Sequence, residues 1–106
     1  MSEDECQGWS NRETWATNLW IENDEGLCSE VMEMTRESDI RRDIVGEFAD
    51  RLEEWIVNLL DFRAYRAEFG GEMPDSLRIM REDIGSLYRV NYWELAEYWI
   101  SKLQEA

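Results

Sequence analysis

The stretch IRRDIVGEFADRLEEWIVNLL, residues 40–60, carries apolar side chains at spacings of four and three residues. This spacing puts them on one face of an α-helix, because about 3.6 residues complete each turn. The pattern predicts one long helix from about Asp39 to Tyr65, with Ser38 or Asp39 at its N-cap. The inward stripe is expected to comprise Ile40, Ile44, Phe48, Leu52, Trp55 and Leu59.

Two short motifs near the ends of the chain predict further helix starts. Ser10 and Glu13 have the spacing of a capping box, in which each side chain bonds the backbone N–H of the other residue. Asn91 and Glu94 repeat this spacing before the last helix. Trp9, directly before the first motif, is expected to act as a hydrophobic staple to Thr14 or Trp15 at the start of that helix. The alternative is an exposed anchor for a partner.

The remaining segments complete an all-helical prediction. A second helix is expected at about residues 27–36, and a fourth after the Gly-Gly loop, capped by Asp75 or Ser76. No stretch alternates with a period of two, so no sheet is expected. The sequence predicts an all-α single compact domain of about five helices, an irregular bundle around a long third helix. We expect it to cover residues 9–106, after a flexible acidic tail over 1–8.

The charge is strongly negative and unevenly distributed. The chain has 25 acidic and 11 basic residues, no histidine and a formal net charge of −14. Residues 1–60 hold sixteen acids and five bases, so this part alone contributes −11. Such a surface repels nucleic acid and anionic lipid, so direct binding to DNA or to a membrane is not expected. With 43% hydrophobic and 12% aromatic residues, the chain is predicted to fold despite its charge.

The sequence gives little support for a catalytic or a metal-binding site. Without histidine, a zinc site of the zincin type and a Ser-His-Asp triad are both excluded. Residues 22–33 distantly resemble a calcium loop, with Glu22, Asp24, Glu30 and Glu33 as oxygen ligands, but the glycine is one position early. We therefore expect no enzyme activity, no metal and no cofactor.

Two rows of carboxylates are the candidate binding site. Asp43, Glu47, Asp50 and Glu54 recur at spacings of four and three on the predicted long helix, away from its apolar stripe. A shorter row lies on the second helix and comprises Glu30, Glu33 and Glu37. The step between such carboxylates is roughly 4.5–6 Å along the axis, near the phosphate spacing of a nucleic-acid strand. The rows indicate either a mimic of nucleic acid or a plain solvated surface.

Six tryptophans accompany this charge. Trp15, Trp20, Trp55, Trp93 and Trp99 fall at helical spacing on or beside the apolar stripes and are expected in the core. A base-stacking platform would need a positively charged groove, which this chain lacks. The two cysteines, Cys6 and Cys28, do not suggest a disulfide framework and favour free thiols in the cytoplasm.

The segments GWSNRETW (8–15), LWI (19–21) and ND (23–24) resemble a family of small proteins from phages, plasmids and prokaryotic genomes. Its members begin with an Asn-Arg-Glu-Thr-Trp motif and carry a second signature, similar to Val90-Asn-Tyr-Trp-Glu-Leu-Ala96, from which this chain departs by inserting Tyr92. The resemblance spans residues 8–103. It implies a mobile-element context but no chemistry, because the family has no established activity.

The leading hypothesis is a non-enzymatic inhibitor of a host defence complex, such as a CRISPR effector or a restriction enzyme. Its acidic rows would occupy a basic DNA- or RNA-binding groove; small acidic phage proteins with this role supply the analogy. The expected partner is a basic protein surface. The alternative is a small helical adaptor or homodimeric assembly module, with acidity serving solubility or adaptation to high salt.

Overall fold

The computed structural model describes residues 6–105. Within them lie six α-helices, one 3₁₀ turn and no β-strand, which confirms the all-α class. In chain order the elements are α1 (Arg12–Asn23), α2 (Glu25–Arg41), α3 (Val45–Leu60), α4 (Phe62–Phe69), α5 (Asp75–Ile84), the 3₁₀ turn (Leu87–Arg89) and α6 (Tyr92–Glu105).

The core forms where α3 packs against α6, with α1, α2 and α5 around this pair. Helices α1, α2, α3, α5 and α6 contribute buried apolar side chains, and this burial stabilises the bundle by about 25 cal/mol per Å² of apolar surface removed from water. Trp99 is the largest fully buried side chain. The core also includes Ala16, Ile21, Val31, Phe48, Leu52, Ile56, Leu60, Met80, Ile84, Leu95 and Ala96.

The prediction of a single long helix over residues 39–65 is wrong, because the helix is interrupted twice in this range. Arg42 adopts a left-handed conformation with φ 61°, which ends α2, and α3 begins three residues later. Asp61 ends α3 and caps α4, accepting the N–H of Ala64 at 2.9 Å. Ser38 and Asp39, predicted as N-caps, lie inside α2.

This break also corrects part of the predicted stripe. Phe48, Leu52 and Leu59 are buried as expected. Ile40 is 80% exposed and Ile44 is 68% exposed, because they flank the turn between α2 and α3 and no longer share the inward face.

The helix caps differ from the predictions in detail. Asn11, not Ser10, caps α1 by accepting the N–H of Thr14 at 2.9 Å. Asn91 caps the last helix as expected, accepting the N–H of Glu94 at 3.0 Å. Helix α5 begins at Asp75 after Pro74, so neither Asp75 nor Ser76 is its N-cap.

The described chain begins with a tight turn. Cys6 and Trp9 exchange two backbone hydrogen bonds of 2.9 and 2.8 Å, and both intervening residues, Gln7 and Gly8, have positive φ. Residues 1–5 of the predicted flexible tail lie outside the described residues, so the boundary of that tail stays a prediction.

Candidate acidic interface

The outer face of α3 carries an exposed row of carboxylates. Glu47, Asp50 and Glu54 point away from the buried Phe48 and Leu52, because each residue advances about 100° around the axis. None of the three has a salt-bridge partner among residues 6–105. Glu47 also accepts the N–H of Ile44 at 3.5 Å, at the start of the helix, where a negative charge is favourable.

Asp43, the first member of the predicted row, does not belong to this face. It lies in the turn before α3, and its side chain is only 7% exposed. Its carboxylate is paired with Arg51 and accepts the hydroxyl of Ser38 at 3.1 Å. Asp43 therefore ties the end of α2 to α3, and its negative charge is not available to a partner.

The predicted row on α2 is exposed, but every member has a partner. Glu33 pairs with Arg36 at 3.5 Å. Glu37 pairs with Arg41 at 3.2 Å. These are exposed pairs on one helix, where a salt bridge contributes only about 0.3–0.5 kcal/mol, so a competing cation can replace either arginine.

Glu30 links the two rows. Its carboxylate accepts the indole N–H of Trp55 on α3 at 3.1 Å. The contact brings the first half of α2 beside the second half of α3, while Asp43, just after the end of α2, pairs with Arg51 in the first half of α3. The two acidic helices thus run antiparallel beside each other, and both rows are exposed.

Pairing within this part of the molecule concentrates the unbalanced charge on α3. Arg36, Arg41 and Arg51, three of the four arginines in residues 26–60, have acidic partners on α2 or in the turn that follows it. The carboxylates on the outer face of α3 therefore remain without a salt-bridge partner among the described residues.

An open groove of about 450 Å³ lies beside this face, between the starts of α3 and α6. Its apolar surface includes Ile44 and Trp93, and Trp93 is 53% exposed instead of buried as predicted. Glu47, Asp50 and Glu53 line the same groove. The sequence did not single out Glu53, because it lies one position outside the regular acidic spacing.

Tyr92 forms the inner wall of this groove. Its hydroxyl donates to the backbone carbonyl of Leu87 at 3.0 Å. Burial raises the pKa of Tyr92 far above its ordinary value of 10.0, and the nearby carboxylate of Glu53 raises it further, while Arg81 acts in the opposite direction. The phenol therefore stays neutral and serves as a structural wall.

The two sequence signatures meet in space. Glu94 does not close a capping box with Asn91; its carboxylate instead accepts the backbone N–H and the hydroxyl of Ser10, at 3.0 and 3.1 Å. The backbone N–H of Asn91 in turn donates to the hydroxyl of Thr14 at 2.8 Å. The motifs join the first helix to the last, and these residues have a structural role.

Two further residues of the first signature contact the C-terminal part of the chain. Glu13, expected to complete a capping box, pairs with Arg89 at 2.9 Å. The ring centroids of Trp9 and Tyr98 on α6 lie 5.1 Å apart, so Trp9 packs against the last helix. Its predicted staple to the start of α1 stays a prediction.

The segment compared with a calcium loop is almost entirely helical. Asp24 caps α2 by accepting the N–H of Leu27 at 2.9 Å, and Glu30 and Glu33 lie within α2. Among residues 6–105, no group of three or more acidic or cysteine side chains is placed to hold a metal ion.

Glu22, the first of those four residues, belongs to a network that joins α1 to α6. It accepts from Asn18 and from the hydroxyl of Tyr98, each at 2.5 Å, and pairs with Lys102 at 3.3 Å. Burial raises the pKa of Glu22, but these three partners outweigh it and leave the pKa below its ordinary value of 4.5. The carboxylate is thus held ionised as a structural link.

These features define a small all-α protein with exposed acidic rows on α2 and α3 and with signature motifs that join its first helix to its last. Residues 2–93 match the model of a family of unknown function (DUF7249), and the chain belongs to that family. Comparisons with curated proteins and with solved structures found no match. In the part of the chain that the structure describes, no helix has the length and apolar character needed to cross a bilayer.

Proposed function

We propose that this protein is a non-enzymatic inhibitor that places its acidic α2–α3 surface in a basic DNA- or RNA-binding groove of a host defence complex, a CRISPR effector or a restriction enzyme. The observation that carries the proposal is the row of Glu47, Asp50 and Glu54, exposed on a rigid helix with no salt-bridge partner among the described residues. This row spans about 10 Å at a rise of about 1.5 Å per residue.

The arrangement resembles the phosphates of one nucleic-acid strand in charge and in spacing. Like charges on one helix face destabilise it by a few tenths of a kcal/mol per pair, so an uncompensated row has a cost that a basic partner would remove. The row on α2 extends this surface, since the arginines that pair with Glu33 and Glu37 can be displaced. Asp43 is left out of the proposed contact, because its carboxylate already binds Arg51.

The mobile-element context implied by the family resemblance is part of the same proposal. A phage or plasmid protein gains from blocking host defence without needing chemistry of its own. The acidic surface supports this role because it would compete with the nucleic acid for one site. Binding should then weaken steeply as salt rises, as it does for phosphate contacts.

The test is a protection assay in bacteria that carry one defined restriction or CRISPR system and are challenged with a targeted plasmid. Changing Glu47→Lys, Asp50→Lys and Glu54→Lys together should abolish protection. The control carries Glu68→Lys, Glu72→Lys and Glu82→Lys, which are also exposed. Each reversal adds two charge units, so both variants move from −14 to −8.

The control variant should protect as well as the wild-type protein. If both variants protect equally, the α3 row is not the contact surface and the proposal fails. Circular dichroism of both proteins establishes that the helices are retained.

A second function is favoured by α4. This helix has no buried residue, and Phe62 and Phe69 are 60% and 57% exposed. Such a face suits the alternative of a small adaptor or a homodimeric assembly module, bound through apolar contact. Association that survives high salt and is lost in Phe62→Asp, measured by light scattering, would identify this function instead.

A further inference from the structure

The groove between α3 and α6 combines an apolar surface with a cluster of carboxylates. Trp93 and Ile44 expose large apolar side chains in it, and three carboxylates border them. Exposed tryptophan is unfavourable in water, and tryptophan is among the residues that contribute most to protein interfaces. The groove therefore differs chemically from a row of phosphates, which offers charge but no aromatic surface.

The sequence of α3 keeps this groove open. Gly46 faces the indole ring, and a Cβ atom at that position would lie 3.2 Å from Cζ3 of Trp93. A side chain there would press against the ring and fill part of the groove. Glycine thus allows the ring to lie close to α3, where Glu47, Asp50 and Glu53 reach the same space.

The charge and the shape of the groove together indicate which kind of side chain it binds. We propose that this groove binds an arginine side chain of a basic segment in the partner protein, with the guanidinium on the Trp93 ring and the carboxylates around it. Arginine stacks on indole through a cation–π contact and forms paired hydrogen bonds with carboxylates, whereas lysine offers only a hydrated point charge. Ile44 covers the aliphatic part of the side chain.

This inference rests on the proposed function, since it names the partner residue that the acidic surface would contact. It adds a specific feature that charge alone does not supply. A row of carboxylates already favours arginine over lysine through paired hydrogen bonds. The exposed indole adds a cation–π contact to that preference, and this added part depends on Trp93 alone.

The experiment titrates the protein with a nona-arginine peptide and with a nona-lysine peptide at about 0.15 M salt, using calorimetry. Changing Trp93→Ala should weaken nona-arginine binding about fivefold, as expected for the loss of a cation–π contact, and nona-lysine binding less than about twofold. The indole N–H signal of Trp93, assigned by Trp93→Phe, should shift in the wild-type protein when nona-arginine is added.

The charge control compares two variants with the same net charge. Glu47→Gln, Asp50→Asn and Glu53→Gln remove three charges at the groove, and Glu30→Gln, Glu33→Gln and Glu37→Gln remove three on α2; each variant carries −11, that is −14 plus 3. The groove variant should lose about tenfold in nona-arginine affinity, and the α2 variant about threefold or less.

The inference is overturned if Trp93→Ala leaves nona-arginine affinity unchanged, or if the two charge variants weaken it equally. Should Trp93→Ala fail to fold, an unmoved Trp93 indole signal in the wild-type titration overturns it on its own. The peptide experiment contains no host defence complex. Groove binding without plasmid protection would refute only the proposed function, while plasmid protection combined with an unmoved Trp93 indole signal would refute only the groove.

Discussion

Asn18 joins the first and last helices through both ends of its amide. Its oxygen accepts the indole N–H of Trp99 at 2.9 Å, and its nitrogen donates to Glu22 at 2.5 Å. Trp99 is fully buried, so its N–H has no access to water. A buried donor without a partner costs about 1–3 kcal/mol, which makes this contact important for stability.

We expect Asn18→Ala to lower the free energy of unfolding by about 1–3 kcal/mol, because Trp99 loses its acceptor. The control is Asn23→Ala, since Asn23 is exposed at the end of α1 and should change stability by less than about 0.5 kcal/mol. Urea unfolding followed by circular dichroism measures both. Equal stability of the two variants would contradict the structural role assigned to Asn18.

At the scale of the elements, the turn at Arg42 decides how α2 and α3 present their acids. Arg42 is a non-glycine residue in the left-handed region, and its N–H and that of Asp43 bond the carbonyls of Asp39 and Ser38, both at 3.0 Å. The left-handed conformation costs a residue with a Cβ atom about 1 kcal/mol or more. The turn persists because the pairing of Asp43 with Arg51 and the burial of Phe48 fix the start of α3.

Arg42→Gly should therefore keep or raise the stability, by up to about 1 kcal/mol, because glycine adopts this conformation without strain. Arg36→Gly provides the contrast, since Arg36 lies inside α2 and glycine there should cost about 1 kcal/mol. Urea midpoints of the two proteins test the difference. If the helix continued through residue 42, both changes would destabilise the protein to a similar extent.

The sequence predicted the all-helical class and the buried positions Phe48, Leu52 and Leu59, because a periodic stripe reports directly on the face that meets the core. It did not predict the turn at Arg42, since arginine carries no turn signal and the apolar spacing continues across the break. Asp61, directly after two leucines, is a residue type that commonly caps helices, and it caps α4. The prediction of one long helix overlooked this signal.

Helical periodicity likewise predicted only part of the candidate site. Glu47, Asp50 and Glu54 were placed correctly on an outward face, because exposure on a helix follows from its period. The pairing of Asp43 with Arg51 and the exposure of Trp93 depend on how separate helices meet, which periodicity does not encode. Tertiary packing thus buries Asp43, one carboxylate of the predicted row, and forms the apolar groove beside the row.

At the scale of the whole molecule, the net charge is concentrated in the first 60 residues. Residues 1–60 carry −11 of the formal −14, whereas residues 61–90 hold six acids and five bases, a net −1. Repulsion among like charges destabilises a folded chain and is screened by salt, with a Debye length of about 10 Å at 0.1 M and about 3 Å at 1 M. The stability of the protein should therefore rise with salt concentration, mainly because salt screens the repulsion on α2 and α3.

We expect the thermal midpoint of the wild-type protein to rise by several degrees when NaCl increases from about 0.02 to about 0.5 M, because screening relieves this repulsion. In low salt, Glu47→Gln, Asp50→Asn and Glu54→Gln together should raise the midpoint more than Glu68→Gln, Glu72→Gln and Glu82→Gln, although both variants remove three charges. Calorimetric scans at the two salt concentrations give all the midpoints needed. Equal gains from the two variants would mean that the acids act only through their number, as for a domain adapted to high salt. A larger gain on the α3 side would locate there the unfavourable charge that a basic partner would neutralise.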